Sequence, residues 1–182
     1  MKKYLAIIIA IFVGTYSLWV FEYNTSKPVV QAESAGESGG GVENIVTHPV
    51  ATEVAEYVNF ERDKAGLERL VDDPRLDASA AAKCNDMVVK NYWGHVEPDT
   101  GLHAWHFMTE SGIPGNTTTG ENLAHGFRSS QDTVQGWMNS PGHKANIERA
   151  DYDHVGYAVC NSTSFIGQGY QDIIVQHFAD LW

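Results

Sequence analysis

The chain has 182 residues, 43% of them hydrophobic and 11% aromatic, enough for one packed core once the N-terminus is set aside. It carries 12 Lys and Arg against 23 Asp and Glu, a formal charge of -11, and no Lys or Arg follows Arg149. A duplex-binding surface needs clustered cations to displace phosphate counterions, so nucleic acid is excluded as a partner.

Lys2 and Lys3 precede an uncharged apolar run from Tyr4 to Phe21. Eighteen helical residues span about 27 Å, close to the thickness of bilayer hydrocarbon. Basic residues ahead of the run put the N-terminus in the cytoplasm and the remainder of the chain outside it. Residues 1–23 therefore read as a signal peptide or an N-terminal membrane anchor, with the anchor preferred because no small-x-small site follows closely. Residues 24–46 are rich in Ser, Gly and Glu and form a flexible linker, leaving residues 47–182 as the domain. Asn24, Asn116 and Asn161 begin N-x-Ser/Thr triplets.

Apolar spacing at Val50, Val54, Tyr57, Val58 and Glu61 predicts a helix from about Pro49 to Ala65, stopped by Gly66. Asp73-Pro74 is a cap followed by a first-turn proline, opening a helix to about Lys90 with Leu76, Ala80, Cys84 and Met87 on one face. A shorter helix is expected over about 102–111, then a loop from Ile113 to Gly120. Ser129 to Asp132 starts a helix through Met138, and Ser140 caps a short one whose first position is Pro141. Alternation at Val155, Tyr157 and Val159, and at Ile173, Val175 and His177, predicts two strands joined by 161–171. Helices first and antiparallel strands later indicate an α+β layered domain.

Cys84 and Cys160 are the only cysteines. Outside the cytoplasm such a pair is free to oxidise, and closing so long a loop would stabilise the fold by about 4 kcal/mol in the chain-entropy model. Two separately buried thiols are the other reading. No HExxH, phosphate-binding glycine loop, GxSxG or CxxC occurs. His143 falls in the first turn of the helix at Pro141, where the helix dipole favours the neutral imidazole that a metal requires. Ser140 and His143 lack a third residue to orient a Ser-His pair. His103, His106 and Glu110 share a helix face and are read as surface residues; His125, His154 and His177 as structural or exposed ones. Trp93, Trp105 and Trp137 are expected to anchor the core.

Taken in order, Val58-Asn59-x-x-Arg62, Asp86-Met87, His95 with Pro98, GENLAHG at 120–126, WMNSPGHKANI at 137–147 and Val155-Gly156-Tyr157 resemble the CAP superfamily. That family comprises cysteine-rich secretory, antigen 5 and pathogenesis-related 1 proteins, and the short prokaryotic form is the nearest in pattern. The resemblance covers roughly residues 50–180. It implies a three-layer α-β-α sandwich around a mostly antiparallel sheet, with a shallow cleft of two histidines and acidic residues that in several members holds a divalent metal, often zinc. Carried over by motif, the histidines are His95 and His143 and one acid is Glu121, with Asn122 and Ser140 as cleft support. The second family acid is absent, since Asn139 and Ser140 stand where it would lie.

Two functions are expected on this basis. One is a non-enzymatic, extracytoplasmic binding module, tethered or secreted, whose ligand is a lipid, an envelope polymer or a protein. The other is a zinc-dependent hydrolase of peptides or cell-envelope polymers, with Glu121 as general base.

Overall fold

A computed structural model describes residues 48–182. The expected signal or anchor segment, the linker and Asn24 lie outside the described residues. Among the described residues no helix is long and apolar enough to cross a membrane. The elements are α1 (Ala51–Lys64), β1 (Val71–Asp72), α2 (Pro74–Lys90), α3 (Ala104–Glu110), β2 (Thr119–His125), α4 (Ser130–Met138), α5 (Pro141–Ile147), β3 (His154–Ser162) and β4 (Gln171–Ala179).

Local chemistry accounts for most boundaries. The Asp73 carboxylate accepts from the Arg75 amide at 2.8 Å ahead of Pro74, and the Ser129 hydroxyl accepts from the Asp132 amide at 3.0 Å, so both expected caps form. Ser140 differs: it stands at the N-cap of α5 but its side chain makes no capping bond, so the proline alone sets the helix start.

The strands form one sheet in the order β1-β3-β4-β2. β3 and β2 flank β4 antiparallel, and only the two-residue β1 adds in parallel, beside β3. Successive strand residues point to opposite faces. On one face Leu123, Ile173 and Val175 pack against Ala80, Cys84 and Met87 of α2. On the other, Ala124, Ile174 and Phe178 pack against Val54 and Val58 of α1, Val134 and Trp137 of α4, and Ile147 of α5. The result is the three-layer α-β-α sandwich of the CAP/SCP type. Gly156 explains its own place in the motif, because a Cβ there would collide with the α2 backbone at Leu76 and Asp77. Helix and sheet can meet this closely only over a glycine.

Three expectations change. The stretch read as a loop to Gly120 already becomes β2 at Thr119, and β2 is an edge strand. The inward residue near the end of α1 is Arg62, not Glu61. Trp137 is buried, its indole donating to the Leu123 carbonyl at 3.1 Å, but Trp93 and Trp105 are 38% and 58% exposed and anchor no core. The inward side of short α3 is already filled by Phe107 and Met108, which leaves Trp105 outside.

Cys84 of α2 and Cys160 of β3 form a disulfide with a Cα–Cα separation of 6.2 Å. Denatured but unreduced protein is expected to take up no thiol label; two labelled thiols per chain would refute the pairing.

Candidate functional site

The neighbours Glu121 and Asn122 on β2 point to opposite faces of the sheet, and each reaches toward one of the two cleft histidines. On the α2 face, the Glu121 carboxylate is almost wholly buried. Its Oε1 accepts from Nδ1 of His95 at 2.6 Å and its Oε2 accepts from Nε2 of His177 at 3.1 Å. His177 is fully buried on β4, directly opposite Glu121, and its Nδ1 lies 2.7 Å from the Ser79 hydroxyl of α2. On the other face, the Asn122 amide donates to the His143 carbonyl at 3.2 Å and to Oε1 of Gln176 at 3.0 Å. Asn146 of α5 donates to the Asn122 side chain at 2.9 Å and to the Glu121 carbonyl at 3.1 Å. Together with the Trp137 bond to Leu123, this caps the outer carbonyls of a strand that, among the described residues, pairs only with β4. The cleft therefore straddles β2, with His95 from one layer and His143 from the other.

His95 stands on a loop that is held from below. Lys83, one helical turn beyond Ser79 on α2, is completely buried. Its ammonium donates to Tyr92 Oη at 2.9 Å, to the Gly94 carbonyl at 2.9 Å and to the His95 carbonyl at 3.4 Å, and Tyr92 in turn donates to Asp86 at 2.7 Å. Burial lowers the Lys83 pKa, while the charges of Glu121, Asp86 and Glu97 oppose that fall. Beyond His95 the loop closes on buried Glu97, whose carboxylate accepts from the Asp99 and Thr100 amides at 3.2 and 2.6 Å and from the Thr100 hydroxyl.

The two cleft histidines are pushed apart in pKa. The Glu121 hydrogen bond raises His95, against the desolvation that lowers it. Burial, and then the nearby charge of His95, lower His143. One imidazole is thus biased toward the cation and the other toward the neutral form, an asymmetric pair suited to one charged and one neutral hydrogen bond. Burial alone would raise Glu121, but the bonds from His177 and His95 together hold it below the usual carboxylate range.

Of the residues expected to form the site, His95, Glu121, His143 and Asn122 come together here, whereas the Ser140 side chain joins none of these bonds. His177, Ser79, Lys83, Gln176 and Asn146 were not assigned to the site from sequence. Asn146 and His177 carried signals, one inside the 137–147 motif and the other as a polar residue on an apolar strand face. The donor set does not fit an all-protein metal centre. Both Glu121 oxygens are engaged, and the described residues contain no group of three or more His, Cys, Asp and Glu placed to hold an ion. His106 pairs with Glu110 at 3.2 Å on the surface.

The sequence model of the cysteine-rich secretory protein family, CAP, matches residues 55–178. The uncharacterized protein YkwD of Bacillus subtilis is 40% identical over 120 residues, covering 63% of this chain and 46% of that protein. The uncharacterized membrane protein YlbC of the same organism is 31% identical over 107 residues, covering 59% and 30%. The chain thus spans less than half the length of either relative. Among solved structures, an outer surface protein of Borrelia burgdorferi superposes with a TM-score of 0.61 at 22% identity, over 72% of this chain and 92% of that one. An extracellular SCP-domain protein of Bacillus anthracis gives 0.59 at 21%, over 72% and 40%. At these identities the structural likeness shows the fold alone.

Proposed function

The chain belongs to the cysteine-rich secretory protein (CAP) family, and from that premise we propose that it is a non-enzymatic binding module acting outside the cytoplasm. The carrying observation is that Glu121 is buried between His95 and His177 with both oxygens bonded. A hydrolase using Glu121 as general base would need it within reach of water, and its side chain is only 4% exposed. Here it orients and charges an imidazole instead. His95, with more than half of its side chain exposed, and the more neutral His143 then present two nitrogens of different character to a polar ligand.

The basic-then-apolar N-terminus supports placement outside the cytoplasm, held by an anchor or released after cleavage. The names of the relatives, a membrane protein, an outer surface protein and an extracellular one, agree with that placement. An envelope polymer is the ligand class we favour over lipid or protein.

The test is co-sedimentation of the full-length chain, held in mild detergent, with detergent-washed bacterial cell wall freed of membrane, in parallel with zinc titration. The parent should co-sediment and His95→Ala/His143→Ala should not. Zinc should bind the parent no more tightly than the double variant. Equal co-sedimentation of both proteins would sink the binding reading, and tight zinc uptake lost in the variant would restore the metal-centred one.

A further inference from the structure

The segment that carries His95 also carries Trp93, and Trp105 follows on α3; the two are 38% and 58% exposed. Trp93 precedes His95 by two residues, and its indole meets the His125 ring edge-on at 4.5 Å and Phe165 at 6.3 Å. His125 and Glu121 lie on the same face of β2 four residues apart, about 13 Å along a strand. Trp93 over His125 and His95 over Glu121 therefore mark successive points on one track along the edge strand. Past His95, Val96 bridges to His103 across the closed loop, and the His103 ring lies nearly parallel to that of Trp105, at 16° and 6.4 Å. Val96 is 41% exposed. Lys83 and Glu97 fix the backbone beneath, so this surface is ordered before any ligand arrives.

We propose that Trp93 and Trp105 flank His95 as stacking subsites for the rings of a neutral glycan chain. This deepens the binding-module reading and rests on it. A pyranose ring offers an apolar face of C–H bonds rimmed by hydroxyls, and it needs flat aromatic faces alternating with hydrogen-bonding groups. The track supplies them: indoles at both ends, the His95 and His103 imidazoles between, and the Gln171 carboxamide, 3.4 Å from His125, beside Trp93. Charge argues against a polyanion. Both lysines near this loop are engaged, Lys83 buried against backbone carbonyls and Lys90 paired with Asp86 at 2.8 Å, while Asp99 and Glu110 add negative charge.

The probes are β-1,4-linked hexamers of N-acetylglucosamine and of glucose, titrated into the full-length chain in mild detergent. The parent should bind at least one hexamer. Trp93→Ala and Trp105→Ala should each weaken it about 10-fold, as expected for loss of a large aromatic contact surface, whereas Trp93→Phe and Trp105→Phe should retain most of it. Unchanged unfolding midpoints would exclude a folding defect. Failure of the parent to bind either hexamer overturns the proposal, as do alanine variants that bind like the parent. Tryptophan-dependent binding to lipid vesicles or to a protein, without glycan binding, overturns it too. Hexamer binding that survives His95→Ala/His143→Ala leaves the platform standing and removes the histidine cleft from the reading. Envelope co-sedimentation that needs the histidines but not the tryptophans does the reverse.

Discussion

Replacing Arg62 by Met is expected to lower the unfolding free energy by about 4 kcal/mol, a large share of the stability of a domain this size. Arg62 is 1% exposed, and its guanidinium bonds go to backbone carbonyls. Its Nε donates to the Glu68 carbonyl at 2.8 Å, one terminal nitrogen to the Ile147 and Arg149 carbonyls at 2.8 and 2.9 Å, and the other to the Tyr152 carbonyl at 3.1 Å. The guanidinium thus ties α1 to the chain leaving α5 and entering β3. Methionine fills much of the volume but leaves four carbonyls without that donor; the bonds to Ile147 and Tyr152 are buried, and each buried orphan costs about 1–3 kcal/mol before relaxation. Arg62→Lys should recover little, since an ammonium cannot match a planar fork aimed at four acceptors. Chemical denaturation of the three proteins decides it. A Met variant within about 1 kcal/mol of the parent would show that water satisfies those carbonyls.

Arg62 also shows where the sequence is legible and where it is not. The helices declare themselves through Val54, Val58, Leu76, Ala80 and Met87, because their apolar period is intact and their caps are local. A charged residue that replaces a carboxylate with backbone carbonyls leaves no such trace, since its partners lie up to 90 residues away. β2 escaped for a related reason. Its neighbours Glu121 and Asn122 are both polar and both buried, so the alternation that normally betrays a strand is missing. The histidines were found by motif position, but the roles of Ser79, Lys83 and His177 depend on α2 packing over β4, which only the fold reveals. Trp93 and Trp105 were misplaced because side-chain size suggests burial, while exposure is decided by what already fills the space beneath.

Glu121→Gln should produce the second large effect, a loss of about 2–3 kcal/mol whose size depends on pH. The carboxylate accepts from two histidines, and hydrogen bonds to a charged group are worth about 1.5–3 kcal/mol each. A glutamine has one acceptor oxygen, so one imidazole must face an amide NH₂ instead. The pH dependence comes from the two opposite shifts. Glu121 is held below its ordinary value, so its contribution is present above the unfolded carboxyl pKa, near 4.3, and is lost as pH falls through the lower folded value. His95 is raised, so its contribution is full below the unfolded imidazole pKa, near 6.5, and is lost as pH rises through the higher folded value. The stability gap between parent and variant should therefore be widest between about pH 4.3 and 6.5 and narrow on both sides. In the variant the His95 imidazole, followed by NMR, should titrate at lower pH than in the parent. A gap that stays constant from pH 3 to 9, with an unmoved His95 titration, would mean that Glu121 shapes the cleft without charging it. The glycan track would then keep its indoles without the bias toward charge that Glu121 gives His95.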